Sequence, residues 1–224
     1  MKIFLRGILM MTTVLFSVQA AAFDHAYSGY GSLLQKHVHW LANGQASTVD
    51  YAALKSERAA LARELKLYSA VSKTEFDGWN REQQMAFLIN AYNAWTLELI
   101  LTKYPNLKSI RDLGSLLASP WNKSFFQLWG ETRSLDWLEH EQLRPRYRDP
   151  RVHFAVNCGS IGCPALRPEP YLATGLNAQL NDQQRRFLSD RSRNRFNAAN
   201  GALSVSSIFK WYGEDFSAQG KDLE

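Results

Sequence analysis

The run HFAVNCGSIGCP, residues 153–164, holds both cysteines of the chain beside two glycines, a histidine and an asparagine, and its residue types could do chemistry. Three uses compete for it. Cys158 and Cys163 can close a disulfide around a short loop, which chain-entropy reasoning values at about 2 kcal/mol. The even cysteine count fits that use if the chain reaches an oxidising compartment. Cys158 can instead serve as a nucleophile, with backbone N–H groups near Gly159 and Ser160 stabilising a thiolate and an oxyanion. His153, Cys158 and Cys163 could also ligate a metal, but their spacing matches no zinc pattern. No metal and no cofactor are expected.

A cysteine nucleophile needs a base within about 3 Å. His153 is poorly placed if the run is a strand, because five extended residues separate it from Cys158 by about 16 Å and put the two on opposite faces. His140 lies on another element with Glu139 beside it, so it is the better base, and Glu139 or an asparagine could orient its imidazole. The bland alternative makes His140 a surface residue and Glu139 a capping partner of Asp136. His25, His37 and His39 read as solvent-facing. Asn90 and Asn93 sit three apart in an apolar helix with Tyr92 between them. Their amides must find partners at that depth, either by pinning a neighbouring loop or by facing a pocket. Candidate binding residues are therefore Asn90, Tyr92, Asn93, His153, Asn157, Gly159, Ser160 and, near the C-terminus, Trp211.

Those residues must be positioned by elements that the periodicity suggests. Tyr51, Leu54, Leu61, Leu65 and Tyr68 form a helical stripe behind Asp50 as cap. A longer helix opens after Asn80, with Gln83 as capping-box partner, and stops before Pro105; being apolar nearly all round, it should be buried. Residues 125–129 and 132–135 read as strands around Gly130-Glu131, and DWLEHEQLR as a short helix. Val152, Phe154 and Val156 alternate with His153, Ala155 and Asn157, which reads as a strand over 151–157. A helix over 175–189 precedes a hairpin whose turn is Asn200-Gly201. The fold class expected is α+β, with a helical first half whose central helix packs on a small, mostly antiparallel sheet.

The first 22 residues read as a signal peptide: Lys2 and Arg6, then an apolar stretch at 7–18, then Ala20, Ala21 and Ala22 for cleavage. Cleavage leaves about 200 residues, enough for one globular domain over 23–224 with a core. Export, most simply to a periplasm, follows from that leader, and no later segment is apolar enough to span a membrane. The formal net charge is +5, with arginines clustered at 144–151 and 185–195 and diluted by acids, which argues for solvated faces and against a nucleic-acid partner. Seven tryptophans and 12% aromatic residues exclude a disordered polymer.

Four blocks resemble, together and in order, the family known as domain of unknown function 547: QMAFLINAYNAWTL (84–97), SLDWLEHEQLR (134–144), DPRVHFAVNCGSIGCPALR (149–167) and LSVSSIFKWYGEDF (203–216). The likeness spans about residues 44–216. Leu88 stands where tryptophan is expected and Ala165 where a second proline is. The resemblance implies an exported bacterial protein of unassigned activity, and it marks Ser207, Lys210 and Trp211 besides the residues above. Two functions are consistent with these residues. One is cysteine-dependent acyl transfer or amide hydrolysis, with Cys158 attacking, His140 accepting its proton and Glu139 orienting the ring. The alternative is a non-catalytic envelope binding or structural module stapled by a Cys158–Cys163 disulfide. Either would take a small-molecule or peptide ligand, and the oligomeric state is left open.

Overall fold

The computed structural model describes residues 22–114, 119–160 and 162–217. Residues 1–21, where the sequence leads one to expect a signal peptide, lie outside the described residues. The first elements are α1 (Ser28–His37), the hairpin β1 (Val38–Trp40) and β2 (Ser47–Val49), α2 (Tyr51–Ser56), α3 (Arg58–Ala70) and α4 (Lys73–Asp77). Asp50 caps α2 by accepting from the Ala53 N–H at 2.9 Å. The single stripe expected over 51–68 is two helices, because the chain breaks at Glu57. Ser56 Oγ donates to the Ala53 carbonyl at 2.7 Å there, a back-bond that competes with the helical ladder.

The centre of the molecule is α5 (Arg81–Leu101). Asn80 accepts from Gln83 N–H at 2.8 Å and Gln83 returns the bond to Asn80 N–H at 3.1 Å, so the capping box is complete. From Met85 to Leu101 every residue except Glu98 is buried. A helix that is apolar all round has this fate when neighbours cover each face, and here α3, the 137–143 segment and the 173–175 turn pack against it.

Beyond α5 come the hairpin β3 (Phe126–Leu128) and β4 (Glu131–Arg133), a π-helical segment (Trp137–Leu143), α6 (Arg144–Tyr147), α7 (Val152–Ala155), α8 (Leu176–Ser189), the hairpin β5 (Arg195–Asn197) and β6 (Ala202–Ser204), α9 (Ile208–Trp211) and α10 (Gly213–Ser217). The fold is α+β. Its strands pair as three separate antiparallel hairpins, so the central helix is covered mainly by helices and not by one sheet. The β3–β4 turn falls one residue earlier than the sequence reading, at Trp129 and Gly130, both with positive φ (55° and 79°), as a tight hairpin of this twist requires.

No strand forms over 151–157, contrary to the expectation from alternation. Residues 152–155 form a helical turn, and all five residues from Val152 to Val156 are buried, so their alternation has no exposed face. The cause is Asp149-Pro150. The Asp149 carboxylate accepts from Arg151 N–H at 3.0 Å and its carbonyl from Val152 N–H at 3.1 Å, and proline supplies a helical φ at the first turn. His37, expected at the surface, is 1% exposed. A second, small apolar cluster of Phe154, Phe187 and Ile208 ties α7, α8 and α9 together.

Candidate functional site

Asn90 and Asn93 position the site. Asn90 Nδ2 donates to the Tyr171 carbonyl at 2.8 Å while its Oδ1 accepts from Tyr171 N–H at 2.9 Å. Asn93 does the same for the chain entering the cysteine loop, donating to the Ala155 carbonyl at 3.0 Å and accepting from Asn157 N–H at 2.7 Å. Both amides are thus engaged by backbone and neither is open to a ligand. Asn157 carries the bracing onward: its Nδ2 donates to the Pro164 carbonyl at 2.7 Å and its Oδ1 accepts from Gly159 N–H at 2.9 Å, clamping both ends of the loop. That bond occupies the Gly159 N–H assigned to an oxyanion. Gly159 itself has φ 73°, and a Cβ there would lie 2.7 Å from Ile110 Cδ1, so conformation and packing both require glycine.

Within the loop, Cys158 and Cys163 are joined by a disulfide with Cα atoms 5.9 Å apart. This is the stapled alternative of the sequence reading, and it removes the free thiol that a nucleophile needs. Both sulfurs are also lost to any metal, and no cluster of three His, Cys, Asp or Glu side chains among the described residues is arranged to hold one.

The disulfide forms part of the wall of a cleft of about 250 Å³, shared with Tyr92, Trp121, Trp211 and Tyr212, with Arg111, Asp136, Glu139 and Ser160 as its polar groups. Trp121 Nε1–H donates to the Cys158 carbonyl at 3.2 Å, fixing one aromatic wall to the loop. Trp211 is the opposite case, 60% exposed. No histidine lines this cleft. His140 lines another one with Arg144, Arg148, Asp149 and Asp215 and is not among the residues lining the cleft that holds Cys158. The Arg144 guanidinium lies 2.9 Å from His140 Nδ1 and can only donate there.

Beneath the cleft runs a line of alternating charged and polar groups. Glu139 is 5% exposed, with the Tyr92 and Tyr212 side chains beside its carboxylate and His153 Nδ1 at 3.4 Å, an ion-pair distance. His153 Nε2 sits 2.6 Å from Asp215 Oδ2, and Arg144 grips Asp215 with two bonds of 2.6 and 3.0 Å. The Tyr212 ring stacks on His153 at 3.8 Å. Burial pushes the Glu139 carboxyl up, but His153, Tyr212 and His140 together outweigh burial and hold it below the usual carboxylate range. Asp215 is lowered in the same way, burial being overcome by Arg144 and then His153. Asp136 goes the other way: burial raises it and the Glu139 charge adds to the rise. It makes no capping bond, Ser134 Oγ taking the Trp137 N–H at 3.2 Å, so the expected Asp136–Glu139 capping box is absent and the Asp136 carboxylate faces the cleft.

A family model described as "Protein of unknown function, DUF547" matches residues 76–188, just over half of the sequence. The chain belongs to the DUF547 family. The matched residues carry α5, the π-helical segment, the cysteine loop and nearly all of α8. No curated protein and no solved structure matches the chain. Tyr212 and Asp215 lie outside the DUF547 match, as does Trp211, yet they complete the cleft and its ionic floor. Sequence reasoning missed Arg111, Trp121, Asp136, Arg144, Tyr212 and Asp215. The last two were visible only as the WYGEDF run, where an acid beside aromatics gives no hint that it meets a histidine 62 residues earlier.

Proposed function

We propose that this DUF547 chain is an exported, non-catalytic binding module whose aromatic cleft takes a small, uncharged, hydroxyl-bearing ligand such as a saccharide unit. The observation that carries the reading is the Cys158–Cys163 disulfide in the wall of that cleft. It engages both sulfurs and leaves a recess of flat aromatic faces with convergent polar groups, the usual anatomy of a small-ligand site. Aromatic faces suit the apolar side of a sugar ring, while Asp136 and Glu139 can accept from hydroxyls and Arg111 and Ser160 can donate. One cation and two acids in the lining, one of the acids already paired with His153, leave little net charge with which to select an ion. The volume, about 250 Å³, suits a ligand of one ring.

Export through the N-terminal leader accords with a disulfide, which persists in oxidising compartments. The cysteine acyl-transfer or hydrolase reading would require a reduced Cys158 and a base in the same cleft, and the Cys158–Cys163 bond and the position of His140 both count against it.

Tryptophan fluorescence tests the binding reading, since Trp121 and Trp211 line the cleft. Titration with neutral saccharides should give a saturable change in emission, and Trp211→Ala should weaken it by about tenfold, the loss of one aromatic contact. A flat titration across neutral saccharides, or an unchanged affinity in Trp211→Ala, contradicts the proposal.

A further inference from the structure

The β5–β6 hairpin projects from the body with all six of its strand residues exposed. Phe196 and Leu203 are direct cross-strand partners, so their side chains share a face. They are 62% and 68% exposed, and Val205, two residues beyond Leu203 and 48% exposed, extends the apolar run. Apolar residues paired on an exposed ribbon are not core residues, because nothing among the described residues covers them.

The charge around this hairpin is the second observation. Residues 185–211 carry Arg185, Arg186, Arg191, Arg193, Arg195 and Lys210 against a single acid, Asp190. That local excess equals the formal net charge of +5 of the whole chain. Arg186 pairs with Asp182 and Arg193 with Asp190, but Arg191 and Arg195 are exposed and make no ion pair among the described residues.

We propose that the β5–β6 hairpin docks the protein onto an anionic lipid surface, Phe196 and Leu203 entering the headgroup–acyl boundary while Arg191 and Arg195 meet lipid phosphates. Apolar side chains rimmed by arginine are the composition that binds such an interface, and each basic residue held near an anionic leaflet strengthens binding several-fold. The aliphatic Leu203 and Val205 favour acyl chains over nucleic acid, where bases would need aromatic faces for stacking. The arginines favour an anionic leaflet over a neutral one. This inference is independent of what the cleft binds.

Vesicle co-sedimentation of the full chain tests it, comparing phosphatidylglycerol–phosphatidylcholine vesicles with phosphatidylcholine alone. Wild-type protein should bind the anionic vesicles, more weakly as salt rises. Phe196→Ser with Leu203→Ser, and separately Arg191→Gln with Arg195→Gln, should each lower the affinity by about tenfold or more. Thermal melts should be unchanged, because every substituted side chain is exposed. Any contribution from the apolar N-terminal stretch is common to all three proteins and cancels in the comparison. Wild-type protein that ignores vesicles, variants that bind as tightly as wild type, or a hairpin that instead retains single-stranded oligonucleotide each overturn the proposal.

Discussion

Two sides of the cleft are built by opposite means. One side stands on α5, a 21-residue helix with a complete capping box, whose Asn93 braces the chain entering the cysteine loop while Asn90 holds the backbone of Tyr171. The other side is α9 and α10, of four and five residues, largely surface-lying, joined to the body by the small phenylalanine cluster and by Asp215 between Arg144 and His153. The first side is rigid because its polar groups are satisfied by backbone deep in the core. The second is held by a few side chains near solvent, so it can yield without the fold yielding. Stability and ligand affinity should therefore respond to different residues.

The largest expected effect falls on the rigid side. Asn93→Leu orphans the Ala155 carbonyl and the Asn157 N–H, and Asn90→Leu orphans both polar groups of Tyr171. Each buried group left without a partner costs about 1–3 kcal/mol. Denaturant midpoints should fall sharply for both variants, and unchanged midpoints would mean that the braces carry no load. Next comes the loop itself. Replacing both cysteines by serine should cost about 2 kcal/mol, the entropy of so short a closed loop, again read by denaturant melts.

A smaller effect belongs to the other side. Asp215→Asn removes the charge shared by Arg144 and His153 in a partly exposed position, so stability should drop by only about 1 kcal/mol. Saccharide affinity should fall more than that loss implies, because Trp211 and Tyr212 ride on the same segment. Equal losses of stability and affinity in Asp215→Asn and Asn93→Leu would erase the distinction between the two sides.

The smallest effect is on acid stability. Glu139 and Asp215 are both held below the ordinary carboxylate range in the fold. Each therefore contributes stability that is complete above the unfolded value of about 4 and lost as pH falls through the lower folded value. Melting temperature should decline on acidification below about pH 4, and less steeply in Asp215→Asn than in wild type.

The rigid side was also the legible one. Asn80 and Gln83 announce the start of α5, its unbroken apolar run announces burial, and two amides in such a helix must meet buried partners. The disulfide was open as one of three uses of the same two cysteines, and spacing alone could not choose among them. The run VHFAV was misread because its alternation fits a strand, whereas the helix-start pair Asp149-Pro150 acts two residues earlier and buries both faces. The Ser56 back-bond split a stripe that periodicity made continuous. The yielding side was invisible for a different reason: Asp215 becomes a site residue only by meeting His153 and Arg144 across the fold, and no local pattern encodes that meeting.

The Cys158–Cys163 bond makes the cysteine loop a staple in the wall of the cleft and not a source of a thiolate. Iodoacetamide labelling of the purified protein without reductant, followed by peptide mapping across a pH series, tests it most directly. Neither Cys158 nor Cys163 should take label at any pH until reductant is added, and both should take it afterwards. Selective alkylation of Cys158 near neutral pH in the unreduced protein, slowed by His140→Ala, would contradict this and restore the nucleophile.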